Sequence, residues 1–156
     1  MPRNYAVTFE AVSVSAAQDL IQLTGAAGKI IRPIRAWVKA TNTTLPTAQM
    51  LETRCRFLPA TVTPGSGGTT PAKVPLDPGD AAASFTALAN NTSKATTNGT
   101  ATVLDEGGDH IYSGYDNTFV VRTPIGPSEA WVFELLSTVS GTVNLSGGVI
   151  VEEIGG

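Results

Sequence analysis

Apolar and polar residues alternate with a period of two along most of this chain, which is the pattern of half-buried β-strands. No stretch repeats its apolar residues with the period of an amphipathic helix, and this argues against α/β architectures. Turn signals containing Gly and Pro separate the alternating runs about every 8–12 residues. The pattern predicts about eight to ten short strands and an all-β antiparallel sandwich with a jelly-roll-like topology. The runs fall at residues 5–9, 12–14, 20–24, 29–41, 48–58, 100–104, 111–112, 118–122, 129–139, 142–145 and 149–154.

Two positions disturb the alternation. The apolar parity changes near Ala11, and because one inserted residue would explain the change, we predict a β-bulge there. Pro33 stands inside the run at 29–41 and has no N–H to donate to a ladder, so this strand is predicted to lie at a sheet edge or to be interrupted. One face of the same strand is expected to carry Ile30, Ile34, Ala36, Val38 and Ala40.

Residues 59–100 differ in composition from the rest of the chain. Five prolines fall in the first half of this stretch, with several glycines between them. Such a composition does not support a long ladder or a helix. We predict a single domain over residues 1–156, with 59–100 as an extended loop or arm within it. Only residues 81–89 could form a helix, and they fit a strand as readily before Asn90 and Asn91 end the run.

Short polar or glycine-rich stretches predict the remaining turns. Residues 105–109 and 114–117 are expected to be loops between strands, and Gly147 with Gly148 is expected to separate the last two strands. Cys55 falls on the apolar side of its run. We expect it to be a small buried side chain rather than a reactive thiol, because no neighbour in sequence would lower its pKa.

The composition excludes several classes of protein. Charged residues make up 15% of the chain and the net charge is −3, whereas nucleic-acid binders carry a basic surplus. A single Cys excludes an internal disulfide, and a single His excludes a two-His zinc site. The first residues lack the apolar core of a secretory signal, and no apolar run is long enough for a membrane helix. We therefore expect a protein made in the cytoplasm that binds neither nucleic acid nor membrane.

His110 and its acidic neighbours are the residues closest to a reactive constellation. His110 follows Asp109, so a hydrolytic dyad, a metal site or a calcium site is one interpretation. No Gly-x-Ser-x-Gly elbow and no EF-hand spacing occurs, and the alternative, an exposed loop histidine, is the one we expect. The other carboxylates near it in sequence are Asp105, Glu106 and Asp116.

A carboxylate pair and a glycine-rich stretch complete the candidates. Glu52 and Glu134 could serve as the two carboxylates of a glycoside hydrolase, but both alternate with apolar residues and are expected to face solvent. The stretch Gly65–Gly68 lacks the Lys and the following helix of a phosphate-binding loop, and is predicted to be a turn. We therefore predict no catalytic, cofactor-binding or metal-ligating residue, no cofactor and no enzymatic activity.

Six of the ten basic residues lie on two runs that are close in sequence, 29–41 and 48–58. A basic sheet face with Trp37 among them could stack nucleic-acid bases, or it could dock on an acidic protein surface. The negative net charge favours docking or plain solvation. The six residues are Lys29, Arg32, Arg35, Lys39, Arg54 and Arg56.

Four segments resemble small structural proteins encoded among the head genes of tailed bacteriophages: Tyr5–Leu20, Gly65–Pro71, Ala89–Thr92 and Gly147–Gly156. The resemblance spans nearly the whole chain and rests on sequence pattern, without a catalytic signature. Such proteins are similar to capsid decoration (cement) proteins, which sit on the outside of the shell. The resemblance implies a β-rich homotrimer at threefold or quasi-threefold positions, with the major capsid protein as its partner.

The resemblance leads us to expect a virion structural protein that stabilises the capsid from its outer surface. An arm at 59–100 would suit this role, because a segment that orders on docking buries a large surface. Two alternatives stay open. One is another virion component, such as a head-fibre base or a tail or baseplate part. The other is a carbohydrate-binding β-sandwich with Trp37 and Trp131 as sugar platforms, although the apolar run around Trp131 favours a place in the core.

Overall fold

The computed structural model describes residues 1–155, and every regular element among them is a β-strand. Within this range no helix is long and apolar enough to span a membrane. In chain order the strands are β1 (Arg3–Val14), β2 (Gln18–Thr24), β3 (Ile30–Ala40), β4 (Met50–Leu58), β5 (Val62–Thr63), β6 (Lys73–Pro75), β7 (Thr86–Asn91), β8 (Thr96–Thr97), β9 (Thr102–His110), β10 (Tyr115–Thr118), β11 (Ala130–Leu135) and β12 (Val143–Ile154).

Ten of these strands form two five-stranded antiparallel sheets. Sheet A has the order β10-β3-β12-β1-β6, and sheet B has the order β7-β2-β11-β4-β9. Leaving aside the short or inserted strands β5 to β8, successive strands alternate between the sheets except at β4 and β9, which are neighbours in sheet B. The last strand, β12, lies beside the first. This is the strand order of a jelly roll, built from two Greek keys. The fold class expected from the alternation is confirmed.

The core lies between the two sheets. Its largest buried side chains include Trp131 and Phe133 on β11, Tyr5 on β1, and Phe85 just before β7. The rings of Tyr5 and Phe85 meet edge to face with centroids 5.8 Å apart, and those of Trp131 and Phe133 stack 6.2 Å apart. Each such side chain gains about 1.5–3 kcal/mol from burial, so this apolar layer is the main attraction between the sheets.

A β-bulge interrupts β1 where the parity change placed it. The pairing of β1 with β12 shifts register between Phe9 and Val12, and Ala11 adopts a left-handed backbone with φ 48°. The Ala11 amide, turned out of the ladder, donates to Ser146 Oγ at 2.8 Å. The predicted bulge is confirmed, and it lets apolar residues on both sides of it face the same core.

Pro33 interrupts β3 without placing that strand at an edge. β3 lies between β10 and β12, and its pairing with β12 skips Ile34, since Ile150 pairs with Arg35 and Val151 with Pro33. The skipped residue reverses the parity, so Pro33 is buried whereas Ile30 is 41% exposed. The expectation that Ile30 and Ile34 share the core face of Ala36 is therefore wrong.

The two glycines expected to divide the last strands lie inside a single strand, β12. An added Cβ on Gly148 would come within 2.7 Å of the Trp37 ring, and one on Gly147 within 2.4 Å of the Trp37 carbonyl oxygen. The indole of Trp37 on neighbouring β3 thus covers the backbone at Gly148. Here the glycines permit close packing instead of a turn.

The boundaries near β9 and β10 also differ from those expected. Residues 105–109, expected to be a loop, belong to β9, because Gly107 and Gly108 pair with Thr53 and Glu52 on β4. Residues 115–117, expected to be a loop, belong to β10. The strand expected at 118–122 is instead mostly loop. At 105–109 and 115–117 the ladder of a neighbouring strand outweighs the local turn composition.

Residues 59–101, called here the covering segment, pack over the outer face of sheet B. They supply β6 to an edge of sheet A, β7 to an edge of sheet B, and the separate pair β5 and β8. Residues 81–89 contain no helix, and Asn90 and Asn91 continue β7 instead of ending it. The contact with sheet B forms a second, smaller apolar cluster of Leu58, Ala95, Ala130 and Val132, flanked by Val62 and Ala101.

Candidate functional site

His110 lies at the exposed end of β9 and has no reactive partner there. Its ring packs against Tyr112 with centroids 4.7 Å apart, and its Nδ1 lies 3.3 Å from the Tyr112 amide. The nearby hydroxyl of Ser113 donates to the His110 carbonyl instead of the imidazole. His110 is exposed, as expected, but it is the last residue of a strand and does not lie in a loop. Within residues 1–155 no group of three or more His, Cys, Asp or Glu side chains is placed to hold a metal ion.

The carboxylates around His110 have separate partners. Asp105 accepts hydrogen bonds from the Tyr115 hydroxyl at 2.6 Å and from Asn117 Nδ2 at 2.9 Å. Asp116 accepts two from Arg35, at 2.8 and 2.6 Å, and these bonds lower the pKa of Asp116. Because each carboxylate is oriented by a different neighbour, the structure does not bring them together as the ligands of one cation.

Glu134 and Glu52, the two candidates for paired carboxylates, occupy opposite environments. Glu52 is exposed, as expected. Glu134 is 0% exposed, so the expectation that it faces solvent is wrong. The covering segment lies over it and supplies Lys94, whose Nζ is 2.9 Å from Glu134 Oε2. From β4, Arg54 Nε donates to Glu134 Oε1 at 2.6 Å, and Arg56 Nε forms an ion pair with that oxygen at 2.8 Å.

Asp19 is a second buried carboxylate under the covering segment. Its side chain is 0% exposed, and Oδ2 accepts a hydrogen bond from the Ala95 amide at 2.6 Å. Burial, opposed in part by this hydrogen bond, raises the pKa of Asp19 to about 6. The neighbouring charges are Glu134, which raises the pKa, and Arg56 and Lys94, which lower it.

Two further polar contacts fasten the covering segment to sheet B. The Gly65 amide donates to Gln22 Oε1 at 3.0 Å, and Gln18 Nε2 donates to Asn90 Oδ1 at 3.3 Å. Gly65 lies in the glycine-rich stretch expected to be a turn, and an added Cβ there would meet Asn91 and Ser93 within 2.7 Å. These contacts and the buried carboxylates are used inside the fold, so they form no open site.

The predicted basic face does not form. Its residues come from β3 in sheet A and β4 in sheet B, which are on opposite sides of the core. Arg54 and Arg56 neutralise Glu134, whereas Arg35 is engaged by Asp116 and lies over the Trp37 ring at 5.2 Å. Nearness in sequence was the only basis for grouping the two strands, and alternate sheets separate them.

The predictions for Cys55 and Trp131 are confirmed. Both side chains are 1% exposed in the core between the sheets. The thiol of Cys55 lies 3.9 Å from the Tyr115 hydroxyl, and burial raises its pKa, which favours the unreactive protonated form. Trp131 is therefore not available as a sugar platform.

Two clefts flank β9, and one of them contains two of the candidate carboxylates, Glu52 and Glu106. The apolar cleft, with a volume of about 140 Å³, opens between the sheets. It is lined by Pro33, Leu104, Phe119, Val121, Thr123 and Trp131. The acidic groove, of about 380 Å³, lies on the outer face of sheet B. It is lined by Met50, Glu52, Glu106, Gly107, Gly108 and Leu136.

Exposed apolar side chains adjoin these clefts. Val120 and Val121, in the loop after β10, are 97% and 83% exposed, and Val103 and Leu104 on β9 are 49% and 38% exposed. In the sequence these residues form the apolar run Phe119-Val120-Val121, within the strand expected at 118–122. Because the run leaves the sheet after Thr118, its apolar side chains remain at the surface.

No family model matches the chain, and neither a curated protein nor a solved structure matches it. The surfaces described above and the sequence resemblance are therefore what indicate a function. A jelly roll by itself does not specify a function, because this fold class includes capsid proteins, lectins and enzymes.

Proposed function

We propose that this chain is a capsid decoration protein of a tailed bacteriophage, binding the outer surface of the major capsid shell and stabilising it. One observation carries the proposal: exposed apolar side chains are concentrated along one side of the sandwich. Of the eleven large apolar side chains exposed among residues 1–155, six lie on or beside β9. Concentrated apolar surface supports binding to another protein. The six are Met50, Val103, Leu104, Tyr112, Val120 and Val121.

The internal use of the polar groups supports the same proposal. The buried carboxylates Asp19 and Glu134 bind the covering segment. His110 is exposed, and the Ser113 hydroxyl donates to its carbonyl oxygen and not to its imidazole. These arrangements favour a binding role over catalysis, and we propose no enzymatic activity. The class of partner, a phage major capsid protein, comes from the sequence resemblance.

The proposed mechanism is mechanical. The protein, made in the host cytoplasm, would bind as a homotrimer at threefold positions and bridge neighbouring capsomers. Each bridge adds contact energy that must be lost before the shell ruptures under internal pressure. A two-sheet core with a further layer over sheet B supports this role, because a rigid body transmits load without unfolding.

Adding the purified protein back to shells that lack it tests the proposal. We expect the rupture temperature, followed by release of DNA to a dye, to rise on addition. Val120→Asp with Val121→Asp should abolish the rise, because charges at the contact oppose its desolvation. Val74→Asp, at an exposed position on β6 away from β9, is the control and should preserve it. Equal rupture temperatures with and without the native protein would contradict the proposal.

The oligomeric state is tested separately by light scattering after size exclusion. A mass three times that of one chain is expected. A monomer at all concentrations would contradict the proposed trimer. It would not contradict binding to the shell, which the add-back experiment tests. Copy number per virion separates decoration from a fibre base, tail or baseplate part, because decoration requires hundreds of copies.

A further inference from the structure

β9 presents a free edge between the two clefts. It is the last strand of sheet B and pairs only with β4 among the strands of residues 1–155. A free edge leaves backbone N–H and C=O groups on one side of a strand without ladder partners. Such an edge can accept an extended segment of another protein as an additional strand.

The apolar cleft lies on the core side of this edge. Trp131 forms part of its wall, and Leu104 contributes from β9. Leu104 is the extra residue of a β-bulge, since Asp105 pairs with Cys55 while Val103 pairs with Arg56. Bulges re-aim side chains, and here the bulge places Leu104 at the cleft. The volume of about 140 Å³ is close to that of a cavity that holds benzene, so a single apolar side chain would fit.

The acidic groove lies on the other face of the same edge. Gly107 and Gly108 form its floor, Met50 and Leu136 supply apolar walls, and the carboxylates are Glu52 and Glu106. Glu106 is 3.5 Å from Arg54, which is itself engaged with Glu134. No basic group within residues 1–155 forms an ion pair with Glu52. The groove therefore suits a Lys or Arg side chain, with its stem against the apolar walls and its charge at the carboxylates.

We propose that the β9 edge binds an extended segment of a partner protein by strand addition, with a basic side chain in the acidic groove and an apolar side chain in the apolar cleft. Successive side chains of a strand point to opposite faces. The two side chains must therefore be an odd number of positions apart. Leu104 and Asp105 lie together at the bulge, and Asp105 pairs with Cys55 on the core side. Gly108 pairs with Glu52 on the side of the acidic groove. Asp105 and Gly108 are about 10 Å apart along the strand, which corresponds to a spacing of three.

This inference does not depend on the partner being a capsid protein. Charge complementarity selects the occupant: the acids at the edge disfavour a second β9 and favour a basic segment. Acidic residues also protect free edges from aggregation, but that role does not require two clefts on opposite faces.

An array of short acetylated Thr peptides, each with one Lys and one Phe at every combination of positions, tests the proposal. We expect odd spacings to retain the labelled protein better than even ones, with the strongest signal at three. Equal retention for both parities, or no retention of any peptide, would overturn the proposal.

Variants of the chain test the acidic groove with the best-retained peptide. Glu52→Gln combined with Glu106→Gln should weaken binding about tenfold or more, because two charge-assisted contacts are lost. Glu10→Gln, an exposed carboxylate on β1, is the matched control and should bind as the native protein does. The doubly substituted protein binding as tightly as the native one would contradict the role of the groove.

Amide hydrogen exchange distinguishes strand addition from adsorption. Bound peptide should slow amide exchange in β9, the edge strand of sheet B. Exchange in β6, an edge strand of sheet A, should be unchanged. A retained peptide that leaves exchange in β9 unaltered would overturn the proposed mode of binding. Shell rupture does not enter these measurements, so this inference and the proposed function can fail independently.

Discussion

Asp19 is a carboxylate at a position fully enclosed by the covering segment. Burial disfavours its charged form, and the single hydrogen bond from Ala95 does not offset that cost, so its pKa lies at about 6. An unfolded Asp titrates near 3.9. Ionised Asp19 therefore destabilises the fold by roughly 3 kcal/mol, and the protonated form does not.

Substituting Asp19→Asn should show this cost as a pH dependence. In the native protein the Asp19 contribution is most favourable below about pH 4 and is lost as the pH rises to about 6. The variant keeps an oxygen acceptor for the Ala95 amide but does not titrate. We compare the unfolding free energies of variant and native protein by urea unfolding at pH 4 and at pH 8. The difference should shift in favour of the variant by roughly 2–3 kcal/mol from the lower to the higher pH. A difference that is the same at both pH values would contradict this account.

At the scale of elements, the covering segment makes sheet B a middle layer. β11 is buried along its whole length, because its core-facing side chains meet sheet A and its outward-facing ones meet this segment. Glu134 is the polar centre of the outer contact. Three cations surround it, of which only Lys94 comes from the covering segment.

Substituting Glu134→Gln should therefore loosen the covering segment. Loss of the charge leaves Arg56 and Lys94 without their ion-pair partner and Arg54 with Glu106 alone. We expect a loss of about 2–4 kcal/mol in unfolding free energy. Amide exchange at Thr96 and Thr97 should accelerate. Glu52→Gln makes the same change at an exposed site and should cost less than about 0.5 kcal/mol. Equal effects of the two substitutions would argue against Glu134 as a fastening point.

The alternation of apolar and polar residues predicted those strands in which one face is buried in the core and the other is exposed. The bulge at Ala11 and the buried face of β4 with Cys55 follow from local alternation. The continuity of β12 did not, because the Trp37 ring that requires glycine at Gly148 comes from another strand. The burial of Glu134 and Asp19 was also missed, since it depends on a distant segment. The sequence did contain a signal for the contact of Glu134. Glu134 is the single charged residue in an apolar strand, and Arg54 on another strand carries the opposite charge.

At the scale of the whole molecule, Cys55 reports on separation of the two sheets. Its side chain lies in the shared core, and burial raises its pKa, so reagent should reach a thiolate only when the sandwich opens. We expect thiol labelling at least about a thousandfold slower than in urea-unfolded protein, with an opening free energy that matches global unfolding. Thr8→Cys in a Cys55→Ser background supplies an exposed control. Native labelling as fast as that of the control would show local opening.

The pairing of β1 with β12 has a consequence for synthesis on the ribosome. β1 emerges first, yet its long ladder partner is translated last, and only the three-residue β6 can occupy its other side before then. Sheet A therefore cannot be completed until β12 has been translated. Until that moment the apolar side of β1 needs shielding by transient collapse or by a chaperone, and the late closure of such distant contacts makes for slow folding.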